Sequence, residues 1–153
     1  MLKKLMKNER GLTLIELLAV VVILGIIAAI AIPAIGGMIA NSKADAHIAN
    51  AKQIANAARL YTTTGDKIGT DGVTLGALIT AGHLESIKDP NGDSTNPNYS
   101  ETGTKVTVDN TAKPTKFYVT LVGDNDTTTY ITHTATQKTD AKDLQRSNVT
   151  NYK

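Results

Sequence analysis

Twenty-four consecutive residues, Leu17 to Ala40, carry no charge and no strongly polar side chain. As an α-helix such a run is about 36 Å long, enough to cross a ~30 Å hydrocarbon layer. Lys3, Lys4, Lys7 and Arg10 precede it, with Glu9 as the one acid among them. Cations on that side favour the cytoplasm, so the chain beyond Ala40 is expected outside. The first eleven residues sum to +3 (four cations less Glu9), while the whole chain is +2. Residues 12–153 therefore carry −1, and the main body shows no surplus of cations for a polyanion. Gly25, Pro33, Gly36 and Gly37 interrupt the apolar pattern. A proline inside a helix costs about 3 kcal/mol, so a bend or a loosened turn is expected near Pro33.

Glu16 stands at the mouth of this segment. A carboxylate near the start of a membrane helix costs roughly 1–3 kcal/mol, depending on depth. Three readings follow. The segment is a plain signal anchor; or it is a secretory signal peptide cut after Ala29-Ile30-Ala31, releasing a soluble binding protein; or the chain is cut after Gly11. In the third case the new amine at Leu12 lies about one turn from Glu16. The same amine on a neighbouring subunit, shifted slightly along the axis, can neutralise that carboxylate in a low-dielectric bundle.

Arg10-Gly11-Leu12-Thr13-Leu14-Ile15-Glu16 resembles the prepilin peptidase site of type IV pilins and related pseudopilins. The resemblance runs over about residues 3–42. It includes a basic leader ending in Gly11, a hydrophobic residue after it, an acid at the fifth mature position, and Gly25 and Pro33 where the family has a helix-loosening glycine and proline. Leu12 departs from the Phe usual at that place. The resemblance implies cleavage between Gly11 and Leu12, N-methylation of Leu12, and a role for Glu16 in assembly. It also implies a single-pass membrane precursor that becomes part of a homo-oligomeric helical filament at the cell surface. The partners implied are the peptidase, the membrane as an intermediate and a pilus or secretion machinery.

The expected organisation is a leader (1–11), a membrane and filament-core helix (12–42), an amphipathic helix half (43–64) and a globular head (65–153). From Lys43 to about Thr63, Ala44, Ile48, Ala51, Ala55 and Ala58 recur at three- and four-residue steps, with Ile54 and Tyr61 widening the stripe. The stripe reads as the side of a long helix laid on a core. A fresh start capped by Asn41 or Ser42 is the alternative to a continuous helix. Thr62-Thr63-Thr64-Gly65 ends the helix. Thr74 to Ala81 is expected as a short helix stopped by Gly82, and Asp89-Pro90-Asn91-Gly92 as a turn. Strands are expected at Lys105–Val108, Lys116–Val122 and Thr128–Thr134. The last two form a hairpin about Gly123-Asp124-Asn125-Asp126. Phe117, Val119 and Leu121 would pack on the helix, leaving Tyr118, Thr120 and Val122 at least partly wet. Residues 135–153 read as a covering segment, an edge strand or a tail. The fold class is α+β: a long helix across a small antiparallel sheet.

No catalytic pattern is present: no G-x-S-x-G, no P-loop, no H-E-x-x-H. The chain has no cysteine, which excludes thiol chemistry and Cys-ligated zinc. His47, His83 and His133 are scattered and read as surface or half-buried residues. Asp89, Asn91 and Asp93 alternate like the start of a calcium loop, but Ser94 and Ser100 stand where it needs glycine and glutamate. Calcium is a minor candidate and no cofactor is expected. Lys138, Lys142, Arg146 and Lys153 are offset by Asp140 and Asp143, so no residue is assigned to nucleic acid. The chain reads as a non-enzymatic structural subunit, resembling a major pilin. A competence or type II secretion pseudopilin is the alternative within the same family.

Overall fold

The computed structural model describes residues 13–124, 126–134 and 138–153. The chain divides into two units, Met1–Ile39 and Ala40–Lys153. One helix, α1 (Leu14–Thr63), supplies the described backbone of the first unit and continues into the second. It passes Gly25, Pro33, Gly36 and Gly37 without a break. The loosening foreseen at Pro33 therefore does not take the form of a gap, and no new helix starts at Asn41 or Ser42.

In the second unit α1 buries Ala44, His47, Ile48, Ala51, Ile54, Ala55, Ala57 and Ala58. Steps of three and four put most of them on one side of the helix, and their small size brings the backbone close to its neighbours. Thr62, Thr63 and Thr64 then turn their hydroxyls onto the carbonyls of Arg59, Leu60 and Tyr61, at 2.7, 2.7 and 2.8 Å. Such bonds compete with the helical ladder, and Gly65 at φ +103° ends it.

The sheet has four antiparallel strands in the order β1 (Val73–Thr74), β2 (Lys105–Asp109), β3 (Lys116–Val122) and β4 (Thr129–Ile131). The register sets Val106 opposite Val119, Val108 opposite Phe117 and Leu121 opposite Ile131. Val106, Phe117, Val119 and Leu121 join the α1 stripe, Leu75 and Leu78 in a single core. The α+β expectation therefore holds: α1 lies on a small antiparallel sheet.

Two details depart from expectation. Thr74 is not the first residue of the short helix but its N-cap, ahead of α2 (Leu75–Thr80), and its hydroxyl accepts the Ala77 N–H at 3.2 Å. The second face of β3 is partly wet, at Lys116 and Thr120, but more covered than alternation alone suggests. Tyr118 and Val122 are buried and Thr120 is half-exposed. Tyr118 stacks on His133 at 4.4 Å, and Thr104 places its hydroxyl between the Val122 N–H and C=O, at 3.0 and 3.1 Å. The carboxyl end, for which three readings stood open, is the covering segment among them. Two 3-10 turns, Ala141–Asp143 and Arg146–Asn148, bring Ala141, Leu144 and Val149 into the core, and the Thr150 N–H bonds the Tyr130 carbonyl at 2.8 Å.

The α2 cap makes a graded prediction. Thr74→Ala removes the acceptor of one helix-end N–H, which typically costs about 1 kcal/mol. Thr74→Ser keeps the hydroxyl and is expected to recover most of that loss. Urea unfolding midpoints of the three chains check the order.

Candidate functional site

α1 opens on a reciprocal cap. The Glu16 carboxylate accepts the Thr13 backbone N–H at 2.7 Å and its hydroxyl at 2.9 Å, while the Glu16 N–H reaches the Thr13 hydroxyl at 3.3 Å. This is a capping box, in which Thr and a Glu three residues later satisfy each other's helix-end groups. An acid in the first helical turn also faces the positive end of the helix dipole. Glu16 thus enters the apolar segment with one oxygen already engaged by its own chain. Thr13 is a member of the site that the sequence reading did not single out, although the T-x-x-E spacing was there to find it. Gly11 and Leu12 lie outside the described residues.

Beyond the cap, large apolar side chains from Leu14 to Ile39 are exposed all round the helix; Leu14 is 84% exposed and Ile32 71%. An apolar surface of that length needs a non-aqueous cover. α1 is long and apolar enough to cross a membrane. A Cβ built on Gly25, Gly36 or Gly37 would meet nothing within 4 Å, so no contact among the described residues requires a glycine at any of these positions.

The remaining candidates sit in the second unit. Asp89 is buried, and its carboxylate accepts the Asn91 N–H at 2.8 Å. Asp93 accepts the Thr95 and Asn96 N–H groups at 2.8 and 2.7 Å, and these backbone donors hold its carboxyl below the usual range. These acids shape the turns they belong to. Among the described residues no group of three or more His, Asp or Glu could hold a metal ion. The histidines are not alike. His83 and His133 are half-buried as expected, but His47 is fully buried, contrary to the sequence reading. Its place at a three-residue step from Ala44 is the signal that puts it on the core stripe. Arg146 grips Asp45 with Nε and Nη2, at 2.6 and 2.5 Å, so one of the basic residues near the carboxyl end is spent on an ion pair with α1.

An apolar helix long enough to cross a membrane, opening on a capped acid and followed in the chain by an α+β unit, suits a membrane-anchored precursor. Residues 6–32 match the prokaryotic N-terminal methylation motif, the signature of type IV pilin-like and pseudopilin precursors. The match holds the leader end, Gly11, Leu12, Thr13, Glu16 and Gly25 and stops just short of Pro33. No curated protein and no solved structure is significantly similar to the chain.

Proposed function

We propose that this protein is a prepilin that is cut between Gly11 and Leu12 and polymerises into a type IV pilus-like filament, as a major structural subunit. The methylation motif carries this reading, because Gly11, Leu12 and Glu16 fall in it at the spacing that processing and assembly need. The precursor waits in the membrane with its leader on the cytoplasmic side. Cleavage exposes an amine at Leu12, which is then methylated. Outside the bilayer, the apolar surface from Leu14 to Ile39 must be covered by other copies of itself. Moving it from lipid to protein gives little hydrophobic gain, so packing and polar pairing have to drive the step. Glycines with open surroundings at positions 25, 36 and 37 suit close approach of helices. Glycine and Pro33 also weaken the helix locally, which favours adjustment on entry into a filament.

In this mechanism Glu16 has two successive partners. In the membrane it is held by Thr13 of its own chain. During assembly it takes the Leu12 amine of a neighbour, and the filament core is neutral as a result. A pseudopilus of a competence or type II secretion system uses the same amino-terminal chemistry and is the alternative. The choice between them lies with the machinery that draws the subunits in. No cofactor enters either scheme.

The test is the amino terminus and intact mass of the mature protein from its own host. A chain beginning at Leu12, with one added methyl group, is the expected result. A chain beginning at Ile32 would mean a released secreted protein and would sink the proposal, and an intact Met1 would leave a plain anchor.

A further inference from the structure

The second unit contains a buried polar chain that filament assembly does not call on. His47, on α1, is fully buried, and its Nδ1 lies 2.8 Å from the Tyr99 hydroxyl and its Nε2 3.3 Å from Asn91 Oδ1. Asn50, one turn further along α1, donates from Nδ2 to the Tyr99 oxygen at 3.1 Å and to the Lys88 carbonyl at 3.3 Å. The Tyr130 ring of β4 stacks on the imidazole at 4.0 Å.

The donors and acceptors fix the direction of this chain. Burial raises the pKa of both Tyr99 and Tyr130 well above the usual phenol value, so both keep their protons. Asn50 donates to the Tyr99 oxygen, Tyr99 donates to Nδ1, and Nε2–H donates to Asn91. Each buried group is then satisfied with a neutral imidazole. A proton on Nδ1 would force the Tyr99 hydroxyl to turn its own proton away from the ring and would put a charge in a fully buried place.

The same contacts hold the loop between Lys88 and Asn98 against α1. Asn91 sits in the turn that Asp89 shapes through the Asn91 and Gly92 N–H groups. Lys88 and Asn98 pair across the base of the loop. We propose that His47 is a proton-sensitive latch: its neutral ring pins the 88–98 loop to α1, and protonation releases the loop.

The charged and titratable groups facing the ring from each packed element are Lys43 on α1, Asp89 in the turn, Tyr99 and Tyr130. Asp93 and Asp124 line the small pocket that Asn91 and Tyr130 share. Burial is the largest influence on His47 and pushes it below its ordinary value of 6.5; Lys43 adds to this, while the Asn91 bond and Asp89 oppose it. The latch is therefore fully engaged above pH 6.5. It weakens as the pH falls below that value, because the released ring takes the proton more readily than the buried one. One proton limits the effect to about tenfold per pH unit.

Hydrogen exchange of the full chain in detergent micelles tests this, with rates corrected for intrinsic chemistry. Amides of residues 88–98 are expected to exchange roughly five- to tenfold faster at pH 5.5 than at pH 7.5. In His47→Gln, which hydrogen-bonds but does not titrate in this range, the loop is expected to exchange at the same rate at both pH values. Equal acceleration in the variant would overturn the latch. Should the variant not fold, the wild type decides through an NMR titration of the His47 ring. Coincident midpoints for the ring and the loop support the proposal. A ring that titrates while the loop stays protected refutes it.

Discussion

Under the proposed function, Glu16→Val is expected to abolish filaments while leaving cleavage after Gly11 and the folded second unit intact. The substitution removes the acceptor of two bonds from Thr13 and the carboxylate available to an incoming amine. In the membrane the change is mild or even favourable, because an apolar side chain replaces an acid that is costly there. In the filament it is severe. The Leu12 amine keeps its charge and is buried without a partner, which costs roughly 3–5 kcal/mol per subunit. At about 1.4 kcal/mol per factor of ten, that is a loss of more than a hundredfold in each addition step. Electron microscopy of sheared cell surfaces and immunoblots of membrane fractions read the two halves: no filaments, with processed subunit retained in the membrane. Filaments of normal number from Glu16→Val would remove Glu16 from the assembly mechanism. Thr13→Ala should be much weaker, since the carboxylate remains available and only its resting partner is lost.

The contrast between local and distant information accounts for what the sequence disclosed. The apolar run, the alanine stripe and the hairpin about Gly123 are periodic patterns within short windows, and all three are present in the fold. β1 escaped because two residues, Val73 and Thr74, have no period to detect. The burial of Tyr118 and Val122 on the second face of β3 escaped for a different reason. Alternation names two faces but says nothing of what arrives to cover the second, and here the His133 ring stacks on Tyr118. The site divides in the same way. Glu16 stood out as an acid in apolar surroundings, while Thr13, only three residues away, needed the helix start to be located before its role as a cap became visible. His47 looked solitary because its partners Asn91, Tyr99 and Tyr130 lie far along the chain. The contacts that set its protonation exist only after folding.

Gly72→Val is expected to be the most damaging single change in the short connection between α1 and the sheet. Gly72 has φ +87°, a conformation that side chains rarely adopt and β-branched ones least of all. Space is closed as well: a Cβ there would meet the Val106 carbonyl oxygen at 2.5 Å and Thr107 Cγ2 at 2.9 Å. The first obstacle is backbone of β2, in the residue that pairs with Val73, so it cannot swing aside without opening the β1–β2 ladder. Backbone strain of order 1–3 kcal/mol and the steric clash act together, for a loss of about 3 kcal/mol or more. Gly82→Ala separates the two causes. Gly82 also has positive φ, +76°, and closes α2 with the Gly82 N–H on the Ile79 carbonyl and the His83 N–H on the Leu78 carbonyl. Nothing lies within 4 Å of its would-be Cβ, so only the strain term applies, about 1 kcal/mol. Urea unfolding of the full chain in micelles should show the Gly72 variant displaced well beyond the Gly82 variant at an unchanged slope. Equal shifts would mean that β2 yields at Val106, and that the close approach of Gly72 is a consequence of the sheet's position rather than a condition for it.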